Sequence, residues 1–232
     1  MLTPRLKAAA DMVGKTQCVA DIGTDHGYIP VYLALSGNAG RIIASDINPG
    51  PLETARRNAA RSGVTEKIEF MLTDGLQGMQ DIGLETAVIA GMGGENIAAI
   101  LDAGAWVKDQ GIRLILQPMT KIGFLSNRLD DSGYAIRDEV LVRDAGRIYP
   151  VLQVSAGESR APLSCAQIYA DRILMEKRDP LLPEYLDLLI RSFTRRLEGM
   201  DRASEEVRVD LYDHTRLALN GFIKMKKETE KW

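Results

Sequence analysis

The sequence predicts an α/β fold in which an open, largely parallel sheet precedes a smaller helical unit. Five short apolar runs, each followed by a helical or turn segment, occupy residues 18–132. Two extended segments over residues 135–154 interrupt this alternation, and residues 182–225 carry two hydrophobic stripes with helical spacing. We therefore expect two domains, residues 1–160 and residues 161–232.

Length and composition are those of a folded protein with room for a full core. The 232 residues are 45% hydrophobic and 26% charged, and the net charge of −3 is spread so that neither half is strongly basic. No apolar run approaches the roughly 18 residues that a membrane span needs, and the N-terminus lacks a signal-peptide pattern. Any nucleic-acid partner must therefore be held by a local patch of charge.

The cysteines and histidines offer no metal site or disulfide framework. Cys18 and Cys165 are far apart in the chain, and the histidines are His26 and His214. This spacing does not match known zinc-ligand patterns, and two isolated cysteines are typical of a reducing compartment. We expect a cytoplasmic protein without a bound metal ion and see no sign of a protein partner.

The predicted elements follow one another in a regular order. A helix begins the chain, with Thr3 as a candidate N-cap and Pro4 at the first helical position. The remaining helices are expected at residues 29–35, 49–62, 97–101 and 121–132, and the strands at residues 18–21, 41–46, 68–72, 86–90 and 112–116.

The strongest local signal is the turn that follows the first strand. Small apolar residues lead to Asp21, and Gly23 and Gly27 permit a sharp turn into an apolar helix. In open parallel sheets this turn binds nucleotide-like ligands. Two glycines also occur in tight turns that bind nothing, so the next strands must decide between the two interpretations.

The second and third strands also end in carboxylates. Asp46 ends the second strand, where an acid can accept hydrogen bonds from both ribose hydroxyls of a dinucleotide or of S-adenosylmethionine. Asp74 and Gly75 follow the third strand. Asp74 either accepts a hydrogen bond from an adenine amino group or belongs to an ordinary turn, and the sequence leaves both open.

A glycine-rich segment follows the fourth strand. Gly91, Met92, Gly93 and Gly94 precede a helix, so their backbone N–H groups are expected to be bare. Such a segment suits either a bound ligand or a tight corner.

The extended segments at residues 135–142 and 147–154 predict an antiparallel hairpin. Residues 143–146 between them have the composition of a hairpin turn. Five strand–helix units closed by a hairpin is the layout of Rossmann-like class I methyltransferases, whereas a nicotinamide-binding domain usually continues with parallel strands.

The C-terminal stripes predict an antiparallel, coiled-coil-like pair of helices. Their members are Leu182, Leu186, Leu189, Phe193, Leu197 and Met200, then Val207, Leu211, His214, Ala218, Phe222 and Met225. We interpret His214 as a packed residue of this seam.

Arginines on the first of these helices are expected to face outward. Asp187 with Arg191, and Glu198 with Arg202, have the i,i+4 spacing of ion pairs. Arg195 has no such partner, which makes it a candidate contact for RNA phosphates.

Several motifs extend over residues 5–155: Arg5–Lys7, Asp21–Pro30, Ile89–Gly94, Leu114–Pro118, Gly133–Tyr134, Asp138–Glu139 and Gly146–Tyr149. In these motifs the sequence resembles the bacterial TrmK family, tRNA methyltransferases that modify N1 of adenine 22 with S-adenosylmethionine. The resemblance continues more loosely into the helical tail, which in that family is a coiled-coil-like domain. Asp25 replaces the middle glycine found in many methyltransferases, and the resembled family shares this aspartate.

The resemblance and the strand-end pattern together imply a set of site residues. Residues expected to bind S-adenosylmethionine are Asp21, Gly23, Asp25, Asp46, Asp74, Gly75, Gly91, Met92, Gly93 and Gly94. Candidate catalytic residues are Asp25, His26 and Tyr149. Residues expected to contact tRNA are Arg5, Tyr28, Gln117, Pro118 and Arg195.

The implied chemistry makes modest demands on the protein. Neutral adenine N1 carries an in-plane lone pair, so its attack on a methyl group needs correct placement more than a strong base. The base must leave its pair and stack on an aromatic residue, for which Tyr28 and Tyr149 are candidates, whereas core packing is favoured for Tyr134. His26 has a rival interpretation as a residue that caps the turn.

Two other functions stay open from the sequence. One is methylation of another RNA or of a small molecule, and the other is a non-catalytic module that binds RNA or a nucleotide. The retained Asp21, Gly23, Asp46 and glycine-rich segment count against the non-catalytic module, because a decayed site need not keep both carboxylates.

Overall fold

The computed structural model describes residues 2–159, 161–201 and 209–232. Two residues of the predicted tail pattern, Arg202 and Val207, lie outside the described residues, as does Arg160 at the expected domain boundary. That boundary stays a prediction.

The elements alternate as the sequence predicts. The strands are β1 (Thr16–Ile22), β2 (Ala39–Asp46), β3 (Ile68–Leu72), β4 (Thr86–Gly93), β5 (Arg113–Thr120), β6 (Tyr134–Asp144) and β7 (Arg147–Ala156). The helices are α1 (Pro4–Val13), α2 (Tyr28–Ser36), α3 (Pro49–Arg61), α4 (Gly94–Ala103), α5 (Trp106–Asp109), α6 (Ile122–Asp131), α7 (Arg172–Glu176), α8 (Leu182–Asp201) and α9 (Val209–Thr229).

The strands form one seven-stranded sheet in the order β3-β2-β1-β4-β5-β7-β6. Strands β1 to β5 are parallel, and β7 is antiparallel to both of its neighbours. The predicted α/β sheet closed by a hairpin is therefore confirmed. Because the order reverses between β1 and β4, the carboxyl ends of these strands border a crevice.

Strands β4 and β5 are longer than the sequence predicts. The expected ends were Ala90 and Leu116, but the ladder continues through Met92 opposite Pro118 and Gly93 opposite Thr120, with register shifts at Met92. Glycine and proline usually indicate the end of a strand. Here β4 and β5 continue past them, because residues on both sides of Gly91 pair with β5 and Pro118 is itself one of the paired residues.

The hairpin turn is shorter than predicted. Strand β6 continues through Asp144, so only Ala145 and Gly146 connect it to β7. Both residues have positive φ, 47° and 75°, as expected for a two-residue type I′ turn.

The sheet buries both of its faces under helices. One face packs against α4 and α6 through Ile97, Leu125 and Leu129. The other face packs against α1 and α2, where Val13 and Leu33 are fully buried. Because neither face meets water, β1, β4 and β5 read as continuous apolar runs.

Helices α8 and α9 pack as the predicted antiparallel pair. The rings of Phe193 and Phe222 meet edge to face at 5.0 Å, and Lys226 Nζ lies 2.8 Å from Asp187 Oδ2. This ion pair differs from the expected pairing of Asp187 with Arg191, because the partner helix brings a lysine closer. His214 lies half-buried beside the ring of Tyr169, as expected for a seam residue.

The tail shares a hydrophobic cluster with the hairpin. Leu141 of β6 and Ile148 of β7 pack in the same cluster as Leu182, Phe193 and Phe222. The helical pair therefore covers an outer part of the sheet. Within the described ranges, no helix combines the length and apolar character needed to cross a bilayer.

Carboxylates close the outer edge of the sheet at β6. Glu139 is buried and accepts a 2.8 Å hydrogen bond from the Asp171 backbone N–H, while Asp179 Oδ2 accepts one from the Leu141 N–H at 3.1 Å. Burial raises the pKa of Glu139 to about 8. The contact from Asp179 satisfies a backbone N–H of the edge strand that would otherwise be open to pairing with another strand.

We expect Phe222→Ala to lower the free energy of unfolding by about 3–5 kcal/mol, because the side chain is fully buried and its loss leaves a cavity. Leu217→Ala on the same helix is the control, since Leu217 is 55% exposed. Denaturant unfolding measures both. Equal effects of the two substitutions would contradict the packing described for α9.

Candidate functional site

A cleft with a volume of about 320 Å³ lies at the carboxyl ends of β1 and β4. Its third wall is the first turn of α1. The lining residues are Thr3, Arg5, Leu6, Asp21, Gly23, Thr24, Asp25, His26, Tyr28, Ile29, Ala90, Gly91 and Met92. A second cavity of about 340 Å³ lies between β6 and α7, and none of the predicted site residues lines it.

Asp21 is a buried carboxyl group at the base of the first loop. It is 4% exposed, and its Oδ2 accepts a 2.6 Å hydrogen bond from the Thr24 hydroxyl. Burial raises the pKa of Asp21 to about 7, and the charge of Asp46 acts in the same direction. The hydrogen bond to Thr24 holds the turn closed.

The glycines of this loop are required by close contacts. Gly23 has a φ of 70°, and a Cβ there would lie 2.1 Å from Met92 Cε. Gly27 has the same φ, and its Cβ would lie 2.8 Å from Ala55 Cβ of α3. A side chain at Gly23 would collide with Met92 of the cleft wall, and one at Gly27 would collide with α3.

Asp25 and His26 form the exposed rim of the cleft. Asp25 adopts a positive φ of 51°, and its side chain is 70% exposed. His26 Nε2 lies 3.4 Å from Asp25 Oδ2, and the His26 ring lies 5.4 Å from the Tyr28 ring. The imidazole thus faces the carboxylate, in contrast to the rival interpretation of His26 as a capping residue.

Asp46 lies next to this loop at the end of β2. Its carboxylate accepts hydrogen bonds from the Asn48 N–H at 2.9 Å and from the Asp25 N–H at 3.4 Å. Asp74 is exposed beyond the end of β3, and the neighbouring Thr73 N–H donates to the Asp46 carbonyl oxygen. The structure therefore brings both strand-end carboxylates to the edge that carries the cleft.

The glycine-rich segment belongs to β4 and its junction with α4. Gly91 has a φ of 81° and its N–H donates to Gln117 Oε1 at 3.2 Å, so the prediction that this N–H is bare is wrong. Gly91 and Met92 line the cleft. Gly94 packs against α6, where a Cβ would lie 2.6 Å from the Lys121 carbonyl oxygen.

Arg5 reaches the cleft, whereas Gln117 and Pro118 lie beneath it. Arg5 Nη1 donates to Gln117 Oε1 at 2.8 Å, and Arg5 Nε lies 3.2 Å from Asp144 Oδ2. Gln117 and Pro118 are both buried in β5. They present no surface to a substrate in this structure, so the predicted direct contact has no geometric support.

Several predicted residues do not line the cleft: Tyr149 and Arg195, and also Asp46, Asp74, Gly75, Gly93, Gly94, Gln117 and Pro118. Tyr149 is 8% exposed in β7, and Tyr134 is buried in the core as expected. A buried ring cannot stack on a base without rearrangement, which argues against Tyr149 as the stacking residue. Arg195 is exposed on α8, where its Nε donates to the Arg191 carbonyl oxygen at 3.3 Å.

Sequence reasoning missed Thr3 and Thr24 as parts of the site. Thr3 was assigned to helix capping, but its side chain makes no cap hydrogen bond, and its Oγ1 is buried without a hydrogen-bond partner. Thr24 stands between Gly23 and Asp25. The sequence alone could have indicated Thr24, because a hydroxyl three residues after Asp21 in a tight loop can donate a hydrogen bond to that carboxyl group.

The arrangement fits a nucleoside-like cofactor. Gly23 and Gly91 leave the backbone accessible at the cleft, and Asp46 offers carboxylate oxygens at the adjoining strand end. An exposed carboxylate at Asp25 suits a cationic group, and Tyr28 offers an aromatic surface beside it.

Comparisons with known proteins identify the family. Residues 2–152 match the family described as Methyltransferase domain. The tRNA (adenine(22)-N(1))-methyltransferase of Bacillus subtilis is 37% identical over 160 residues, which cover 69% of this chain and 67% of that protein.

Solved structures agree over the whole chain. The crystal structure of the B. subtilis m1A22 tRNA methyltransferase TrmK has a TM-score of 0.76 at 28% identity, covering 100% of this chain and 98% of that one. A Streptococcus pneumoniae protein in complex with S-adenosyl-L-methionine has a TM-score of 0.74 at 27% identity, covering 100% and 99%. With this match in sequence and in fold, the chain belongs to the TrmK family of tRNA (adenine(22)-N(1))-methyltransferases.

Proposed function

We propose that the protein transfers the methyl group of S-adenosylmethionine to N1 of an adenine in tRNA, adenine 22 by family membership, and that it does so in the cytoplasm. The observation that carries this proposal is the meeting of the Asp21–Tyr28 loop, Asp46 and the Gly91–Met92 segment at one sheet edge. Residues 1–160 form the cofactor-binding domain in this proposal, and residues 161–232 form the helical domain.

The cofactor-binding roles follow from position and charge. Asp46 accepts hydrogen bonds from the ribose hydroxyls, and Asp74 and Gly75 lie beyond it on the adenine side. Asp25 and the backbone of Gly23 hold the amino-acid part, while Gly91 to Gly94 form the opposite wall. When bound, S-adenosylmethionine supplies an electrophilic methyl group on a sulfonium.

The protein contributes placement and charge to the transfer. Adenine N1 attacks with its own lone pair, so the N1–methyl bond forms as the sulfur–methyl bond breaks, and no proton is removed first. The positive charge moves onto the adenine ring. The exposed carboxylate of Asp25, with His26 beside it, stabilises that charge at the rim.

The target base must leave its stack to reach the cleft. Tyr28 lines the cleft and lies beside His26, so its ring can support a base turned out of the RNA. Arg5 faces the same space. Arg195 is exposed on α8, and its contact with tRNA phosphates stays a prediction.

Methylation of tRNA by the purified protein tests the proposed function. We expect tRNA incubated with the protein and S-adenosylmethionine to gain N1-methyladenosine, detected by mass spectrometry of the digested nucleosides. Transcripts with adenine 22 replaced by guanine are the control. Methylation of a different nucleoside or of a small molecule contradicts the proposed substrate, and cofactor binding without turnover contradicts the proposed activity.

We expect Asp46→Ala to weaken S-adenosylmethionine binding by about 2–4 kcal/mol, because two charge-assisted hydrogen bonds to the ribose are lost. Isothermal titration measures this change. Asp102→Ala is the matched control, since Asp102 is paired with Arg128 away from the cleft. Because Asp46 also accepts backbone hydrogen bonds, Asp46→Asn separates loss of charge from loss of the turn. Unchanged titration curves would remove Asp46 from the site.

We expect Tyr28→Ala to raise the activation free energy of methyl transfer to tRNA by about 1–3 kcal/mol, the free energy of one base–aromatic stack. Tyr28→Phe should retain most of the activity. Single-turnover rates with saturating cofactor measure the effect. Tyr149→Phe serves as the comparison, because the Tyr149 ring is buried in β7. If Tyr28→Phe lowers the transfer rate as much as Tyr28→Ala, the hydroxyl group and not the ring is required, and the stacking role is wrong.

A further inference from the structure

We infer that Gln117 is a positioning residue for methyl transfer, because its buried amide sets the bulge of β4 that forms one wall of the cleft. This inference rests on the proposed function and adds to it a residue that touches neither cofactor nor substrate. The argument starts from the surroundings of the amide.

Every polar atom of the Gln117 side chain has a partner inside the protein. The residue has no exposed surface, and Oε1 accepts hydrogen bonds from Arg5 Nη1 at 2.8 Å and from the Gly91 N–H at 3.2 Å. Its Nε2 donates to the Pro118 carbonyl oxygen at 2.9 Å. Two donors on one side and an acceptor on the other fix the orientation of the amide.

The hydrogen bond to Gly91 repairs an interruption in the sheet. Ala90 lies opposite Gln117 and Met92 lies opposite Pro118, so Gly91 is the extra residue of a bulge and has no partner in the ladder. Its φ of 81° is the left-handed conformation that glycine adopts readily. The ladder offers no acceptor to the Gly91 N–H, and the Gln117 side chain takes the place of the absent strand carbonyl.

The bulge determines where the neighbouring walls lie. It turns Met92 over the first loop, so that a Cβ on Gly23 would lie 2.1 Å from Met92 Cε. The Arg5 guanidinium covers Gly91 from the other side, with Nη1 3.3 Å from the position of a Gly91 Cβ. Arg5 in turn reaches Asp144 at the end of β6.

One amide therefore joins two elements that border the cleft, β4 and α1, to a third element outside its lining. Gln117 links β4 directly to α1, and through Arg5 it links both to the β6–β7 hairpin. Asp46 and Asp74, which are assigned to the ribose and adenine, make no hydrogen bond within this network. Disturbing Gln117 should therefore affect the alignment of N1 with the methyl group more than the affinity for the cofactor.

We expect Gln117→Leu to lower the single-turnover rate of methyl transfer about 100-fold, the scale of effect that a misplacement near 1 Å produces. The dissociation constant for S-adenosylmethionine should change by less than about threefold, because Asp25 and Asp46, the carboxylates assigned to the cofactor, make no hydrogen bond to Gln117. Gln117→Glu keeps an acceptor for both Arg5 and Gly91 but loses the donor to the Pro118 carbonyl oxygen, so it should restore part of the rate.

Thr86→Val is the matched control at the opposite end of β4. Thr86 is also fully buried, and its hydroxyl accepts a 2.9 Å hydrogen bond from Arg113 Nη2. We expect this substitution to lower thermal stability without lowering the transfer rate. A rate loss as large as that of Gln117→Leu would show that any buried polar change in β4 or β5 slows the enzyme, and this would overturn the inference.

Arg5→Met tests the same network should Gln117→Leu fail to fold. It should lower the transfer rate with cofactor affinity retained, and Arg5→Lys should not restore the rate, because lysine lacks the paired donors that reach Gln117 and Asp144. An unchanged rate in Arg5→Met or in Gln117→Leu contradicts the inference. Wild-type protein that binds S-adenosylmethionine but methylates no tRNA contradicts the proposed function instead.

Discussion

The parallel pairing of β1 with β2 on one side and with β4 on the other is the constraint on which the geometry of the site depends. Ile22 lies opposite Ser45 of β2 on one side and Ile89 of β4 on the other. Helices attached to β1 and β4 must leave on opposite faces, so a crevice opens between the two strand ends. The loop after β1, the carboxylate after β2 and the bulge of β4 meet there because the ladder aligns them.

The two aspartates of the loop after β1 lie in different environments. Asp21 is buried and hydrogen-bonded to Thr24, and burial raises its pKa to about 7. Asp25 stands at the rim with most of its side chain exposed. The buried carboxyl group shapes the loop, while the exposed one is available to a cation. Two aspartates four residues apart therefore serve different purposes.

The sequence predicted the order of the elements along the chain and the carboxylates near the strand ends, because the spacing of apolar residues marks where each strand begins and ends. It could not predict the extension of β5 through Pro118, since a proline and the glycines of β4 are local signals for a strand end. The network of Gln117, Arg5 and Gly91 joins residues 26 and 112 positions apart, and no local pattern encodes it. The pairing of Asp187 with Lys226 was hidden for the same reason.

A crystal structure of the protein with S-adenosylhomocysteine tests the site assignment most directly. The structure described here predicts ribose hydroxyls within hydrogen-bond distance of Asp46, the amino-acid part beside Gly23 and Asp25, and the sulfur facing the space between Tyr28 and Met92. A ligand bound in the cavity between β6 and α7, or one whose ribose makes no contact with Asp46, would contradict it.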